Sequence, residues 1–265
     1  MTSSFKKYSL GALIIVLGIF LLSYLTTEEK PRGDTLIVGL QSGYPPFEFM
    51  DAGGNIVGFD VDLANLIAGK MGKSLEINDM EFEGEILSLK QGKIDLIISG
   101  MNITPSRLKE IDMVPYHGEA VTSFNLIFWK EIPEGVKSLQ DIANLPEGTV
   151  SVESGSIPES FLNLYPEVTA KSFQGSLAPL MDVKFGKSTA NLVQEDVALY
   201  LKSKHPEIQI IDVPVPADQK ILGFGIGIKK GNTELYDQIK EIIQELKKSG
   251  ELKTLQDKWF KGGQE

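Results

Sequence analysis

The chain has 265 residues, a formal net charge of −10 and a pI near 4.9, which allows two modest α/β lobes and offers nothing to a nucleic-acid backbone. No cysteine occurs, so disulfides, thiolate metal sites and a lipid-carrying cysteine are excluded. The two histidines, His117 and His205, stand far apart without spaced partners and are expected at the surface rather than on a metal.

Residues 1–33 are expected to lie outside the fold. Lys6 and Lys7 precede an almost unbroken apolar run from Tyr8 to Leu25, closed by Thr27-Glu28-Glu29-Lys30. Such a run, near the roughly 20 residues a bilayer requires, reads as a secretory signal or as a single anchor with its positive end inside. No small-x-small cleavage site stands out, and both alternatives stay open. Either way, the remainder of the chain is expected to be exported.

The first elements alternate. Thr35 to Leu40 reads as a β-branched strand, and Asp51 to Asn55 as a turn between Phe49 and Ile56-Val57. Gly58-Phe59-Asp60-Val61-Asp62 enters a helix with the apolar stripe Leu63, Leu66, Ile67 and Met71. Leu75 to Ile77 is a strand, and Phe82 to Lys90 a helix with Ile86, Leu87 and Leu89 turned inward. Ile94 to Ser99 is the next strand. This β-α-β-α-β order predicts a parallel sheet with helices on its faces.

The stretch from Leu96 to Arg107 is the most informative. A buried strand breaks into Ser99-Gly100-Met101-Asn102, and a helix opens at Thr104-Pro105, an N-cap residue followed by a residue suited to the first turn. Arg107 then falls in that first turn, where the helix dipole disfavours a cation. A bound carboxylate, gripped by two parallel hydrogen bonds and by nearby backbone N–H groups, would justify it; an ordinary exposed arginine is the alternative.

A second α/β run follows. Phe124 to Trp129, Thr149 to Val152, Thr169 to Phe173, Ala190 to Val193 and Ile208 to Val213 read as strands. Helices are predicted at Leu139 to Ala143, after Ser154-Gly155-Ser156, at Leu177 to Phe185 and from Gln194-Glu195-Asp196. Gly223 to Ile228 is a glycine-interrupted strand whose GxGxG spacing lacks the last glycine of the dinucleotide fingerprint. A long amphipathic helix (Leu235, Ile239, Ile242, Ile243, Leu246) and a short one (Leu252, Leu255, Trp259, Phe260) finish the chain. Two such units, each with small-residue loops at strand carboxyl ends, suggest two lobes around a ligand cleft.

Several stretches resemble the periplasmic solute-binding proteins for polar amino acids, family 3. They are Tyr44-Pro45-Pro46-Phe47-Glu48, Gly58 to Ala64, Lys93-Ile94-Asp95, Ser99 to Arg107, Gly155-Ser156 and Gly223 to Gly227. The resemblance implies a type II two-lobe periplasmic-binding-protein fold. Its first lobe would be 36–120 plus 225–265 and its second 121–224, with one amino acid held between them. It further implies that Arg107 binds the α-carboxylate with backbone N–H groups of Asn102 and Ser156, next to Gly155. Ser99 and Gly100 would meet the α-ammonium, and Tyr44 and Phe82 would pack on the ligand's side chain.

Departures from the family pattern bear on the ligand. Positions that usually carry acidic residues fall on Gln41 and Gln194, and Ile157 stands where a hydroxyl is common. Glu85 lies where relatives carry an apolar residue facing the ligand. It is either a solvated helix position or a partner for a cationic side chain such as a guanidinium. The expected function is capture of arginine or another cationic amino acid for an inner-membrane ABC permease. The protein would be a periplasmic monomer without cofactor or catalytic residue, held at the membrane by residues 8–25 where that segment is an anchor rather than a cleaved signal. A membrane-anchored sensor and a cyclic-acid dehydratase with Glu85, Glu153 or Glu195 as general acid are the alternatives.

Overall fold

The computed structural model of the protein describes residues 33–146 and 148–261; but for Gly33, the expected leader lies outside them. The first lobe is built from β1 (Thr35–Leu40), β2 (Phe49–Met50), β3 (Ile56–Val57), α1 (Phe59–Lys70), β4 (Ser74–Asp79), α2 (Phe82–Lys90), β5 (Leu96–Ile97), α3 (Arg107–Glu110) and β6 (Ile111–His117). The second lobe comprises β7 (Ser123–Trp129), α4 (Leu139–Ala143), β8 (Thr149–Glu153), α5 (Ile157–Leu162), β9 (Thr169–Phe173), α6 (Leu177–Lys184), β10 (Ala190–Val193), α7 (Glu195–Lys204) and β11 (Ile208–Pro214). The chain then returns to the first lobe with β12 (Phe224–Lys229), α8 (Thr233–Ser249) and α9 (Glu251–Gln256).

Two five-stranded sheets result, ordered β4-β1-β5-β12-β6 and β11-β7-β10-β8-β9, beside the two-stranded pair β2-β3. β1 runs parallel to β4 and β5, the arrangement the alternating pattern predicts. The sheets are nevertheless mixed, because β12 is antiparallel to β5 and β6, and β7 is antiparallel to β10 and β11. The cause is the double crossing between lobes. The chain leaves the first lobe at His117 and re-enters beside it at Phe224, so β6 and β12 run in opposite directions. Likewise Ser123 opens β7 opposite Pro214, which closes β11. The crossings themselves are paired: Val121 N–H donates to the Ile221 carbonyl (2.9 Å) and Val215 N–H to the Thr122 carbonyl (2.9 Å).

β6 escapes sequence reading because Pro115 interrupts it. Proline is tolerated there since β6 is an edge strand and needs no donor on its outer side. The glycines of β12 have a packing reason. A Cβ on Gly225 would lie 2.7 Å from Ile103 Cγ1, and one on Gly227 3.0 Å from Ile97 Cβ. Hydrophobic cores cover both faces of each sheet, α1 and α8 on one face of the first and α2 on the other. Among the described residues, no helix is long and apolar enough to cross a membrane.

Two expectations are corrected. In α2, Ile86 and Leu89 pack inward as expected, but Leu87 is 57% exposed while Glu85 is 0% exposed. His117 is not a surface residue. Its ring lies among Phe47, Phe59, Phe224 and Phe260, and Nε2 sits 3.2 Å from Asp196 of the other lobe. The aromatic residues that enclose it come from four separate segments of the first lobe, which no local pattern reports. His205, partly buried, packs on Trp129.

Candidate functional site

A narrow cavity of about 20 Å³ lies where the lobes meet. The segment after β1 brings Gln41, Tyr44 and Glu48 to it; α2 brings Phe82; the loop after β5 brings Ser99, Gly100 and Asn102; α3 brings Arg107. The second lobe contributes Glu153 from the end of β8, Ser156 and Ile157 from the start of α5, and Gln194 from the N-terminus of α7. Of the residues singled out from sequence, Glu85 and Gly155 do not line it.

Local structure explains the placement. Ser156 caps α5, its hydroxyl accepting from Glu159 N–H at 3.2 Å. Thr104 accepts the N–H of Arg107 at 3.2 Å, but the helix that follows is a single turn. Gly100 sits at φ 50° against the Tyr44 ring, where a Cβ would approach within 2.8 Å. Any larger residue would push that ring into the cavity.

Arg107 joins the lobes. Nη1 donates to the Asn102 carbonyl (3.0 Å), Nη2 to the Gly155 carbonyl across the cleft (3.2 Å), and the guanidinium lies 5.2 Å from the Phe82 ring centroid. Gly155 thus reaches the site through its carbonyl. Burial lowers Arg107 to about 10, while the charge of Glu85 pulls it back up, so it stays cationic at neutral pH.

Gln194 makes the second set of bridges. Its Nε2 donates to Tyr44 Oη (3.0 Å) and Asn102 Oδ1 (2.9 Å), and its Oε1 accepts from Asn102 Nδ2 (3.1 Å). Only an amide can donate and accept in this way, so the exchange of a carboxylate for Gln194 fits this partner set. Gln41 Nε2 reaches Glu81 (3.2 Å) and Gln174 of the second lobe (3.5 Å). With Ser176 N–H donating to the Gly43 carbonyl at 3.2 Å as well, the lobes are closed on one another.

Carboxyl groups crowd this region. Glu85 is wholly buried, and neither oxygen has a hydrogen-bond partner among the described residues. Burial pushes it well above the ordinary carboxylate range, partly offset by Ser99 and by the Arg107 charge. A solvated role for Glu85 is thereby removed. Glu48 is 1% exposed, with Oε1 3.5 Å from Ser99 Oγ and Oε2 unpartnered. Burial, then the adjacent Asp60 charge, raise it strongly. Asp60 itself is anchored by Gly100 N–H (2.7 Å) and Tyr116 Oη (2.7 Å). Glu153 is pushed up to about 8 by burial.

Glu48 and Glu153 were not among the expected ligand contacts. A signal existed for each: Glu48 interrupts the apolar pair Phe47 and Phe49, and Glu153 ends a buried strand just before a glycine loop. Glu195, weighed as a general acid, is exposed on α7 and does not line the cavity. Among the described residues no group of three or more His, Asp or Glu side chains could hold a metal ion.

The sequence profile of the bacterial extracellular solute-binding proteins, family 3, matches residues 36–262. The chain belongs to this family. It is 37% identical to the probable ABC transporter arginine-binding protein ArtJ of Chlamydia trachomatis, with 96% of each chain aligned. It is 34% identical to the arginine-binding extracellular protein ArtP of Bacillus subtilis over 86% of both. Its fold matches an ancestral arginine-binding protein bound to arginine with a TM-score of 0.76, at 33% identity, over 86% of this chain and 98% of that one. The molecule is therefore an extracellular solute-binding protein of family 3 with the type II two-lobe architecture, and the cavity lies between its lobes.

Proposed function

We propose that the protein captures arginine, or another cationic amino acid, outside the cytoplasm and delivers it to the permease of an ABC importer. One observation carries this: a half-buried cation, Arg107, faces an excess of carboxyl groups, Glu48 and Glu85 buried and Glu153 half-buried, around one small cavity. A ligand with one carboxylate and two cationic groups balances that set, whereas an acidic ligand worsens it. The arginine-binding relatives support the same ligand class.

In this assignment Arg107 holds the α-carboxylate, assisted by backbone N–H groups at Asn102 and Ser156, with Gly155 beside them. Ser99 and Gly100 meet the α-ammonium. Tyr44 and Phe82 flank the side chain, Gln41 and Gln194 supply neutral polar contacts, and Glu85, whose burial favours its protonated form, stands just outside the cavity lining. No chemical step is assigned to any residue. Residues 1–33 direct export, and the protein acts as a monomer with its first lobe at 36–120 plus 225–265 and its second at 121–224.

Isothermal calorimetry of the purified protein against the twenty amino acids tests the assignment. The expected order is arginine, then lysine or ornithine, then glutamine, with no binding of glutamate or aspartate. Tighter binding of glutamate than arginine would overturn it.

A further inference from the structure

We propose that Glu153 is the residue that recognises the cationic side chain of the ligand, and that it takes up that cation by surrendering a proton. This rests on the amino-acid-binding role proposed above and goes further in naming the group and its exchange. Among the carboxyl groups near the cavity, Glu85 does not line it and already has the Arg107 charge acting on it. Glu48 lines it but is tied to Ser99 and sits beside Asp60. Glu153 lines the cavity, and among the described residues its carboxyl makes no hydrogen bond and no ion pair. Burial alone raises its pKa, with no positive charge set against it.

The titratable groups acting on the same space are mostly acidic, with His117 facing only Asp196 and Asp60. Tyr44 and Glu48 after β1, Asp60 on α1, Glu85 on α2 and Asp196 on α7 are acids or a phenol, and Arg107 on α3 offsets only part of them. Glu83 and Glu159 are engaged by the loop after β8, accepting from Ser154 Oγ (2.7 Å) and Gly155 N–H (2.8 Å). Before a cationic ligand binds, a proton on Glu153 takes the place of the cation that site would otherwise need. When a guanidinium enters, the O–H bond of Glu153 breaks, the proton leaves to solvent, and the carboxylate accepts N–H bonds from the ligand. A neutral ligand brings no cation to replace that proton.

Calorimetry with L-arginine and L-glutamine, each at pH 7 in phosphate and in Tris, separates the possibilities. These buffers differ in ionisation enthalpy, so the difference in observed heat counts protons released. We expect release of about one proton with arginine and none with glutamine, since a group with a pKa near 8 is mostly protonated at pH 7. In Glu153→Gln, arginine affinity should fall at least tenfold, glutamine affinity should stay within twofold, and proton release should vanish. Tight arginine binding without proton release, or an unchanged preference in Glu153→Gln, overturns the proposal while leaving the binding role intact. Equal losses for both ligands place Glu153 on the α-ammonium and overturn it as well. Failure of the wild type to bind arginine while it binds a neutral amino acid removes the cationic-ligand assignment itself.

Discussion

α8 and α2 belong to the same lobe and obey opposite rules. α8 turns Ile239, Ile242, Ile243 and Leu246 into the core, as its hydrophobic periodicity requires, and leaves its charged residues in water. α2 places Leu87 in solvent and buries Glu85. Burying an ionised carboxylate without a hydrogen bond is costly enough that the group keeps its proton instead. α8 therefore serves stability alone. α2 spends stability on the electrostatic character of the cleft, and the break in its pattern marks the face nearest the ligand site.

The largest expected effect breaks the site and leaves the core intact. Arg107→Ala removes the cation that opposes Glu85 and that, in the proposed assignment, grips the ligand's carboxylate. The loss in binding should be about 2–5 kcal/mol, by analogy with truncated interface charge pairs. Calorimetry should then detect no arginine binding, while the circular dichroism spectrum stays native. Wild-type affinity in this variant would remove Arg107 from the site. Leu246→Ala is the counterpart on α8. Leu246 is 0% exposed, so a cavity there should cost about 2–5 kcal/mol of folding stability. Its arginine affinity should be unchanged at a temperature where it is folded, and a large affinity loss would mean the two helices are not independent.

The contrast between the helices also explains what the sequence could reveal. The strands β1, β5, β8 and β10 and the helices α1 and α8 are legible because burial period and element type agree in them. The small-residue loop at Ser99 to Asn102, the cap at Ser156 and Arg107 are legible because each breaks a local rule that a ligand would restore. β6 is hidden by Pro115, whose tolerance depends on its place at the sheet edge. His117 is hidden because what defines it, enclosure by aromatic residues distant in sequence, leaves no local periodicity, while Glu153 is signalled only by its place at the end of a buried strand, before a glycine loop. The direction of β7 and β12 is likewise set by the paired crossings rather than by either strand.

A smaller effect concerns pH. Glu48, Glu85 and Glu153 are all raised above their ordinary values, Glu153 to about 8. Above the unfolded carboxylate pKa, near 4.3, the folded state thus holds more protons than the unfolded state. Stability then falls as pH rises toward 8, because the slope follows protons bound unfolded minus folded. Surface carboxylates such as Asp51, Glu110, Asp112 and Glu251 are lowered instead, and their contribution is lost only as pH falls below the ordinary carboxylate range. The unliganded protein should therefore melt several degrees lower at pH 8 than at pH 5.5, and Glu153→Gln should flatten that slope. A melting temperature that rises over this interval contradicts the protonated cluster.

Glu85 itself yields the smallest and sharpest test. Gln is isosteric with a protonated Glu, the form that burial favours at Glu85, so Glu85→Gln keeps the shape and removes a group able to ionise. Since Glu85 does not line the cavity, the ligand should feel only the loss of a group able to ionise under its influence. The expected change in the preference for arginine over glutamine is below about 1 kcal/mol, or roughly fivefold. This is less than the effect expected for Glu153→Gln. A tenfold or greater narrowing in Glu85→Gln would instead show that the guanidinium reaches Glu85 directly, the contact its position in the sequence first suggests. Leu87→Gln, one turn-face away and already in solvent, supplies the control: its stability should stay within about 0.5 kcal/mol of wild type. If Leu87→Gln destabilised the protein more than Glu85→Gln altered binding, the exposure assigned to Leu87 would be wrong.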